Sequence, residues 1–298
     1  MKFAAIDIGS NAVRLLFCNV FDDDGVVTLK KAELVRVPIR LGEDSFITGK
    51  ISEEKIQKLV DAMKAFQSLI KVNEVVAYKA CATSAMRDAS NGKEVAERIR
   101  KEAGIQIELI DGKTEADILY SNHITQHLDK DHSYLYIDIG GGSTELTLFS
   151  EGKTIASQSF NIGTIRMLHD QIDKAYWNSF KQWIEETTKN HKPLLAIGSG
   201  GNINKLFKLS GKKLNKMIST EKLKSLYALL ESYTYEERVK VLGLKTDRAD
   251  VIIPASKILL TVLKKAGIEN MIVPQTGLAD GIILQLYRNR KWPEKLNQ

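Results

Sequence analysis

Asp7-Ile8-Gly9-Ser10-Asn11, near the start of the chain, is echoed by Asp138-Ile139-Gly140-Gly141-Gly142-Ser143-Thr144-Glu145 near its middle. Each stretch ends one apolar run and opens another, which reads as strand, tight turn, strand. Glycines in such turns let backbone N–H groups approach an anion closely and point at it. An aspartate ending the strand just before the loop is well placed to hold Mg²⁺ against phosphate oxygens, directly or through water. One such turn is an ordinary Gly-rich hairpin. Two at equivalent positions of a repeated unit point to a metal-bound phosphate chain.

Working outward, the first turn belongs to predicted strands at 2–8, 13–20 and 26–37. A helix capped by Ser52 follows, then a strand at 75–81 and a helix capped by Ser90 or Asn91 and ended by Gly104. A strand at 105–110 and a helix at 114–126 close this unit. The pattern then restarts, with strands at 134–139, 145–149 and 153–160, a helix at 174–189 and a strand at 194–197. Helices at 203–209, 220–232 and 249–266, a strand at 271–273 and a helix at 278–287 follow. The run strand-strand-strand-helix-strand therefore occurs twice. The expected fold is α/β, with two domains, each a mixed sheet flanked by helices, and a cleft between them. The expected boundaries are 1–125 and 126–285, with a terminal segment at 286–298 packing back on the first domain.

The bulk composition agrees with two domains. A chain of 298 residues is too long for one average core and fits two of roughly 150 residues. No apolar run approaches the roughly 20 residues that span a bilayer, so no membrane partner is expected. Charge at Lys2 and Asp7 comes too early for a signal peptide, and Cys18 and Cys81 sit inside apolar runs. Both cysteines read as small buried hydrophobes in a reducing compartment, and the cytoplasm is the expected location. Residues 1–150 hold 19 of the 43 Lys/Arg and 23 of the 37 Asp/Glu, a net of −4, which leaves +10 for residues 151–298 within the total of +6. A basic half suits a polyanionic partner as well as solvated helix faces.

Two further turns share the same character: Gly198-Ser199-Gly200-Gly201-Asn202 and Thr276-Gly277-Leu278-Ala279-Asp280-Gly281. Where a helix follows, as after Gly201, its N-terminus adds a field that favours phosphate. Other constellations carry less. His123 and His127 are four apart on a predicted helix, but no Glu follows His123 and no cysteine is near, so they read as solvated rather than as zinc ligands. Trp177, Trp183 and Trp292 are not interleaved with basic clusters as a single-strand platform would be, so no nucleic-acid partner is expected. The short basic runs Lys212-Lys213 and Arg288-Asn289-Arg290-Lys291 default to solvated surface, with a track for a polyphosphate chain as the alternative for either. The Walker pattern is absent.

The paired hairpins and the Gly-Ser-Gly-Gly turn resemble the actin/Hsp70/sugar-kinase superfamily, whose domains are ribonuclease H-like (actin-like ATPase). Four segments narrow the likeness to the exopolyphosphatase and guanosine pentaphosphate phosphohydrolase (Ppx/GppA) family. They are Ala5 to Asn11, Ala82-Thr83-Ser84-Ala85-Met86-Arg87-Asp88-Ala89-Ser90-Asn91, Ile110-Asp111-Gly112-Lys113-Thr114-Glu115-Ala116, and Ile137 to Glu145. The resemblance implies a Mg²⁺-dependent phosphoanhydride hydrolase, most directly an exopolyphosphatase, with guanosine pentaphosphate hydrolysis as the alternative and a binding regulator of little turnover as an alternative of another class. It implies Glu115 as the base that activates water and Arg87 as the arginine of the phosphate site. It implies Asp7, Asp138 and Glu145 for the metal. Phosphate would lie on Gly9, Ser10 and Asn11, on Gly140, Gly141, Gly142, Ser143 and Thr144, and on Gly198, Ser199, Gly200 and Gly201. The implied partners are polyphosphate or guanosine penta- and tetraphosphate; a monovalent cation and a homodimer are left open.

The residue types also suit that chemistry by themselves. Phosphoanhydride hydrolysis needs positioning and charge neutralisation more than covalent help. A glutamate orients and deprotonates water, and an arginine offers a rigid fork to phosphate oxygens. Without the family, Glu115 reads more readily as a helix-start acid, and Arg87 as half of an ion pair with Asp88. Two positions depart from the family pattern. Arg14 stands where many relatives carry a non-basic residue, and it reads as an exposed strand residue rather than a phosphate contact. Thr114 stands where relatives often carry a second acid. The chain also stops soon after residue 285, without the C-terminal helical domain of long family members, so processivity on long chains is not implied.

Overall fold

The computed structural model describes residues 1–120, 131–213 and 216–291. The chain forms two compact units, Met1–Ile124 with Gly277–Gln298, and Thr125–Thr276. The last described helix thus belongs with the first unit, and the division falls at 276/277 rather than at 285/286.

The first unit runs β1 (Lys2–Ile8), β2 (Val13–Asp23), β3 (Val26–Val37), α1 (Leu41–Thr48), α2 (Glu53–Val72), β4 (Ala77–Ala82), α3 (Ser84–Asp88), α4 (Gly92–Ala103), β5 (Ile107–Leu109) and α5 (Gly112–Tyr120). Its sheet has the order β3-β2-β1-β4-β5. β1 pairs antiparallel with β2 and parallel with β4, which pairs parallel with β5. Phe3, Ala4, Ala5, Ile6 and Ile8 are all fully buried, as expected of a central strand covered on both faces. That burial is why β1 reads as a continuous apolar run and β3, at the sheet edge, does not. The α2 residues Ile56, Leu59, Val60, Met63, Phe66 and Ile70 are all buried, at the helical spacing read from the sequence. Burying a side chain of this size is worth roughly 1.5–3 kcal/mol. The Ser52 hydroxyl accepts the Lys55 N–H, and Gly104 ends α4 in the left-handed region at φ 68°.

The second unit runs β6 (Ser133–Ile139), β7 (Thr144–Ser150), β8 (Lys153–Phe160), α6 (Thr164–Leu168), α7 (Lys174–Thr188), β9 (Leu194–Ser199), α8 (Gly201–Leu209), β10 (Ile218–Ser219), α9 (Thr220–Ser232), α10 (Tyr235–Lys240), α11 (Thr246–Ala249), α12 (Ile252–Ala266) and β11 (Asn270–Ile272). Its sheet, read from the β8 edge, is β8-β7-β6-β9-β11-β10. The first five strands repeat the first sheet, pairing for pairing. β10 adds an antiparallel edge. The helix expected at 249–266 is broken into α11 and α12. α12 is the centre of this core, with Ile258, Leu259, Val262 and Leu263 fully buried. Trp183 stacks edge-on against Phe160 with centroids 5.3 Å apart, which makes it a core residue rather than a base-stacking platform. The final helix, α13 (Leu278–Lys291), packs in the first unit, where Tyr287 meets Phe3 edge-on at 6.3 Å.

His123, His127 and Trp292 lie outside the described residues, as does the end of the helix expected at 114–126. Among the described residues, no helix is long and apolar enough to cross a membrane.

The junction of α3 and α4 tolerates no side chain on Gly92. A Cβ there would stand 1.9 Å from the Met86 carbonyl oxygen. Gly92→Ala is therefore expected to cost about 1–3 kcal/mol through forced backbone displacement. Thermal unfolding measures it, and an unchanged midpoint would mean that the two helices are free to separate.

Candidate active site

In the first unit, β1, β4 and β5 run parallel, so their C-terminal ends deliver three loops to one end of the sheet. In open α/β sheets ligands collect outside those ends. The loop after β1 carries Gly9, Ser10 and Asn11. It is closed by the Gly9 N–H donating to the Ala12 carbonyl at 3.2 Å. It is pinned from outside by Gly42 and Arg40, whose N–H groups donate to the Ser10 and Asn11 carbonyls at 2.8 and 3.0 Å. The loop after β4 carries Thr83, Ser84 and Arg87. Ser84 and Ser10 are both buried, with their hydroxyl oxygens 2.9 Å apart. Two serines from separate strands thus share a hydrogen bond where the loops meet.

Arg87 is held by two neighbours. Its Nη1 donates to the Ile110 carbonyl at 3.1 Å, and its Nε pairs with Asp88 at 3.2 Å. It thereby ties the loop after β4 to the loop after β5. That last loop starts α5: the Asp111 carboxylate accepts the Thr114 N–H at 2.7 Å, and the Asp111 carbonyl accepts the Glu115 N–H at 2.9 Å. The hydrogen bonds from Thr114, backbone first, hold the Asp111 carboxyl below its usual value. Glu115 sits in the first turn of α5, with its Oε2 buried. Burial pushes the Cys81 thiol up to about 12; Lys79 opposes this, while the carboxylates of Glu108, Asp7 and Glu115 add to it. Asp7 and Glu115 therefore both act on the end of β4. Asn91 lies away from this chemistry. Its amide exchanges two hydrogen bonds with the Ile51 backbone, at 3.0 and 2.9 Å, and makes no cap for α4.

Asp7 is 4% exposed and accepts from Arg14 Nη1 at 2.9 Å. Burial pushes its carboxyl up, and Arg14 partly offsets this. Arg14 is thus an ion-pair partner rather than a bystander on its strand. Sequence patterns hide this because the pairing follows from the β1–β2 register, which sets Asp7 opposite Arg14.

The second unit repeats the plan with different charges. Asp138 stands opposite Glu145 across β6 and β7. Directly opposed residues on one face have Cβ atoms about 4.5–5.5 Å apart. Glu145 is buried and accepts from the Ser159 hydroxyl at 2.8 Å. Asp138 accepts from the Ser199 hydroxyl at 3.3 Å, and Ser199 also reaches the Thr276 carbonyl at 3.1 Å. In the glycine loop, the carbonyls of Gly140, Gly141 and Gly142 accept from Thr164 N, Ile165 N and Arg166 Nε at 3.0, 2.8 and 2.8 Å. Among the described residues, no backbone carbonyl accepts from the N–H groups of Gly141, Gly142 or Ser143. Consecutive unused N–H groups form an anion-binding concavity. Thr144 is turned away from it, its hydroxyl donating to the Ile162 carbonyl at 2.5 Å.

Gly198, the last residue but one of β9, has no room for a side chain, since a Cβ would meet Met271 Sδ at 2.6 Å. Gly200 has φ 97°, and a Cβ there would stand 2.8 Å from Asp138 Oδ1. Gly201 begins α8, whose first N–H groups have no partner inside the helix. The fourth turn is occupied internally. Asp280 accepts the Gly277 N–H at 2.9 Å and Lys31 Nζ at 3.0 Å, which caps α13 and ties it to β3.

Among the described residues, no group of three or more His, Cys, Asp or Glu side chains is gathered to hold an ion by itself. Mg²⁺ does not require one, because it keeps waters and takes one or two carboxylates beside substrate phosphates. The opposed Asp138 and Glu145 fit that need.

Two mixed sheets of one topology, each with glycine and serine turns at its strand ends, define a protein of the actin-like ATPase fold. The sequence profile of the Ppx/GppA phosphatase family matches residues 31–290, and the chain belongs to that family. It is accordingly an enzyme, a hydrolase of phosphoanhydrides. It resembles the crystal structure of an exopolyphosphatase from Cytophaga hutchinsonii with a TM-score of 0.84 and 25% identity, over 97% of this chain and 98% of that one. It is 22% identical to exopolyphosphatase 1 of Mycobacterium leprae over 96% of this chain and 89% of the relative. It is 25% identical to a guanosine-5'-triphosphate,3'-diphosphate pyrophosphatase of Photobacterium profundum, over 95% of this chain and 59% of the relative.

Proposed function

We propose that this chain is a Mg²⁺-dependent exopolyphosphatase of the cytoplasm that releases orthophosphate from polyphosphate ends by water attack. The observation that carries the reading is the convergence of Ser10, Ser84, Arg87 and Glu115 on one end of the first sheet. Kinases and chaperones of this fold share the hairpins, whereas Glu115, beside Asp111 and Arg87, adds the carboxylate that attack by water requires. Polyphosphate is preferred to the nucleotide because the likeness to exopolyphosphatases spans most of both chains.

Glu115 takes a proton from water, and the water oxygen bonds to the terminal phosphorus as the bond to the bridging oxygen breaks. The shortened chain leaves with the bridging oxygen, and orthophosphate is the second product. Arg87, already anchored at Nε and Nη1, offers its remaining N–H groups to phosphate oxygens in a fixed orientation. In the second unit, the Gly141, Gly142 and Ser143 N–H groups offer a further loop to phosphate oxygens. Mg²⁺ on Asp138 and Glu145 would neutralise charge on those oxygens.

Phosphate release from polyphosphate and from guanosine pentaphosphate, measured side by side, tests the reading. Polyphosphate is expected to be the faster substrate, and chelation by EDTA is expected to lower its turnover by about 100-fold or more. Faster release from the nucleotide would transfer the assignment to that substrate. Release from neither would remove the hydrolase mechanism.

A further inference from the structure

Ser10 and Ser84 stand where the loops after β1 and β4 meet, and each is 3% exposed. Their hydroxyl oxygens lie 2.9 Å apart. Among the described residues, neither hydroxyl makes any other hydrogen bond. Two hydroxyls carry two protons, and the bond they share uses one of them. One O–H of the pair is therefore left for an acceptor from outside the chain.

The backbone of Ser10 is in the same position. The Gly9 N–H before it is taken by the Ala12 carbonyl, and the Ser10 carbonyl accepts from the Gly42 N–H. Among the described residues, the Ser10 N–H itself has no acceptor. Buried N–H groups are paired in the great majority of cases, so an unused one beside an unused O–H marks a place for a ligand acceptor. An anionic oxygen accepts from both, and hydrogen bonds to charged groups are the strong ones.

The direction of the shared bond decides which proton is left over. The unused N–H belongs to Ser10, so an oxygen seated on it has the Ser10 hydroxyl as its neighbour. That hydroxyl points outward only when Ser84 is the donor of the shared bond. Ser84 is itself held in place. It opens α3 directly after Thr83, whose N–H donates to the Ile8 carbonyl at 3.1 Å and ties the helix start to β1. Arg87 follows three residues later on the same face of α3, so one helical turn carries both Ser84 and the guanidinium.

We infer that Ser84 is a positioning residue of the phosphate site: it donates to Ser10 Oγ and so turns the Ser10 O–H, together with the Ser10 N–H, onto one phosphate oxygen. This rests on the reading that the loop after β1 takes phosphate. A bond that only tied β1 to β4 would serve equally well in either direction, and its loss would lower stability without moving anion affinity.

Calorimetric titration with inorganic phosphate as the probe tests this in a double-mutant cycle. Ser10→Ala is expected to weaken phosphate binding by about tenfold or more, and Ser84→Ala by about fivefold. In the Ser10→Ala background, Ser84→Ala should change the affinity by less than about twofold, because no Ser10 proton is left to direct. Thermal unfolding of each variant reports on folding. Ser84→Cys keeps the side-chain size and weakens the donor, and it carries the test if Ser84→Ala does not fold. Phosphate release from polyphosphate by the wild type, measured on the same preparation, decides the hydrolase reading independently. An equal effect of Ser84→Ala in both backgrounds would overturn the inference, since Ser84 would then act on the anion by itself. Unchanged affinity with a lowered unfolding midpoint would also overturn it and leave a tie between strands. A wild type that binds no inorganic phosphate would overturn it together with the place given to phosphate on this loop.

Discussion

Glu115→Gln is expected to lower turnover by about 10²- to 10⁴-fold, the range a positioned general base contributes. The change keeps the shape of the side chain and removes both its charge and its capacity to take a proton. The bonds that start this helix come from the backbone and from Asp111. The Asp111 carboxylate caps the helix start, the Asp111 carbonyl accepts the Glu115 backbone N–H, and Arg87 holds the Ile110 carbonyl. Affinity for a phosphate chain should therefore stay within about threefold, since a lost base acts on the chemical step and not on ground-state binding. Single-turnover phosphate release and equilibrium binding of polyphosphate separate the two effects. Unchanged turnover would remove Glu115 from the mechanism. A parallel loss of binding would recast it as a residue that orders the loop.

The sequence made the repeated unit visible for a physical reason. An aspartate before a glycine turn marks the end of a buried strand, and buried strands are continuously apolar, so β1 and β6 could be placed with their loops. Short elements with weak termini were not visible. α1 begins after Arg40, which sits in the left-handed region at φ 58° and makes no side-chain cap. α3 and α6 are five residues each and lack a side-chain cap bond. α10 did leave a signal, because Thr234 and Glu237 form a capping box spaced as the motif requires.

The candidate site was legible as a list of loop residues but not as pairs. Ser10 with Ser84, Asp7 with Arg14, and Glu145 with Ser159 all depend on strand register or on which loops end at one sheet edge. A list of residue types therefore placed Asp7 beside Asp138, although Arg14 stands opposite one and Glu145 opposite the other.

Gly200 is where backbone and chemistry meet most tightly, and Gly200→Ala is expected to damage both. Its φ of 97° is unfavourable for any L side chain and should cost about 1–2 kcal/mol. Gly104→Ala isolates that cost, because Gly104 is also left-handed, at φ 68°, and a Cβ there meets nothing within 4 Å. At Gly200 the same methyl would lie 2.8 Å from Asp138 Oδ1 and 2.9 Å from the Ile139 carbonyl oxygen. The Ile139 backbone is fixed in the sheet, so the Asp138 carboxylate is the group that must move. Displacing a positioning group by about 1 Å can cost about 100-fold in rate. Gly200→Ala should therefore lose about 10- to 100-fold in turnover and in Mn²⁺ affinity together, while Gly104→Ala loses stability alone. Equal stability losses with turnover intact in both variants would show that the Gly200 turn is a backbone requirement of the fold and that Asp138 does not act through its position.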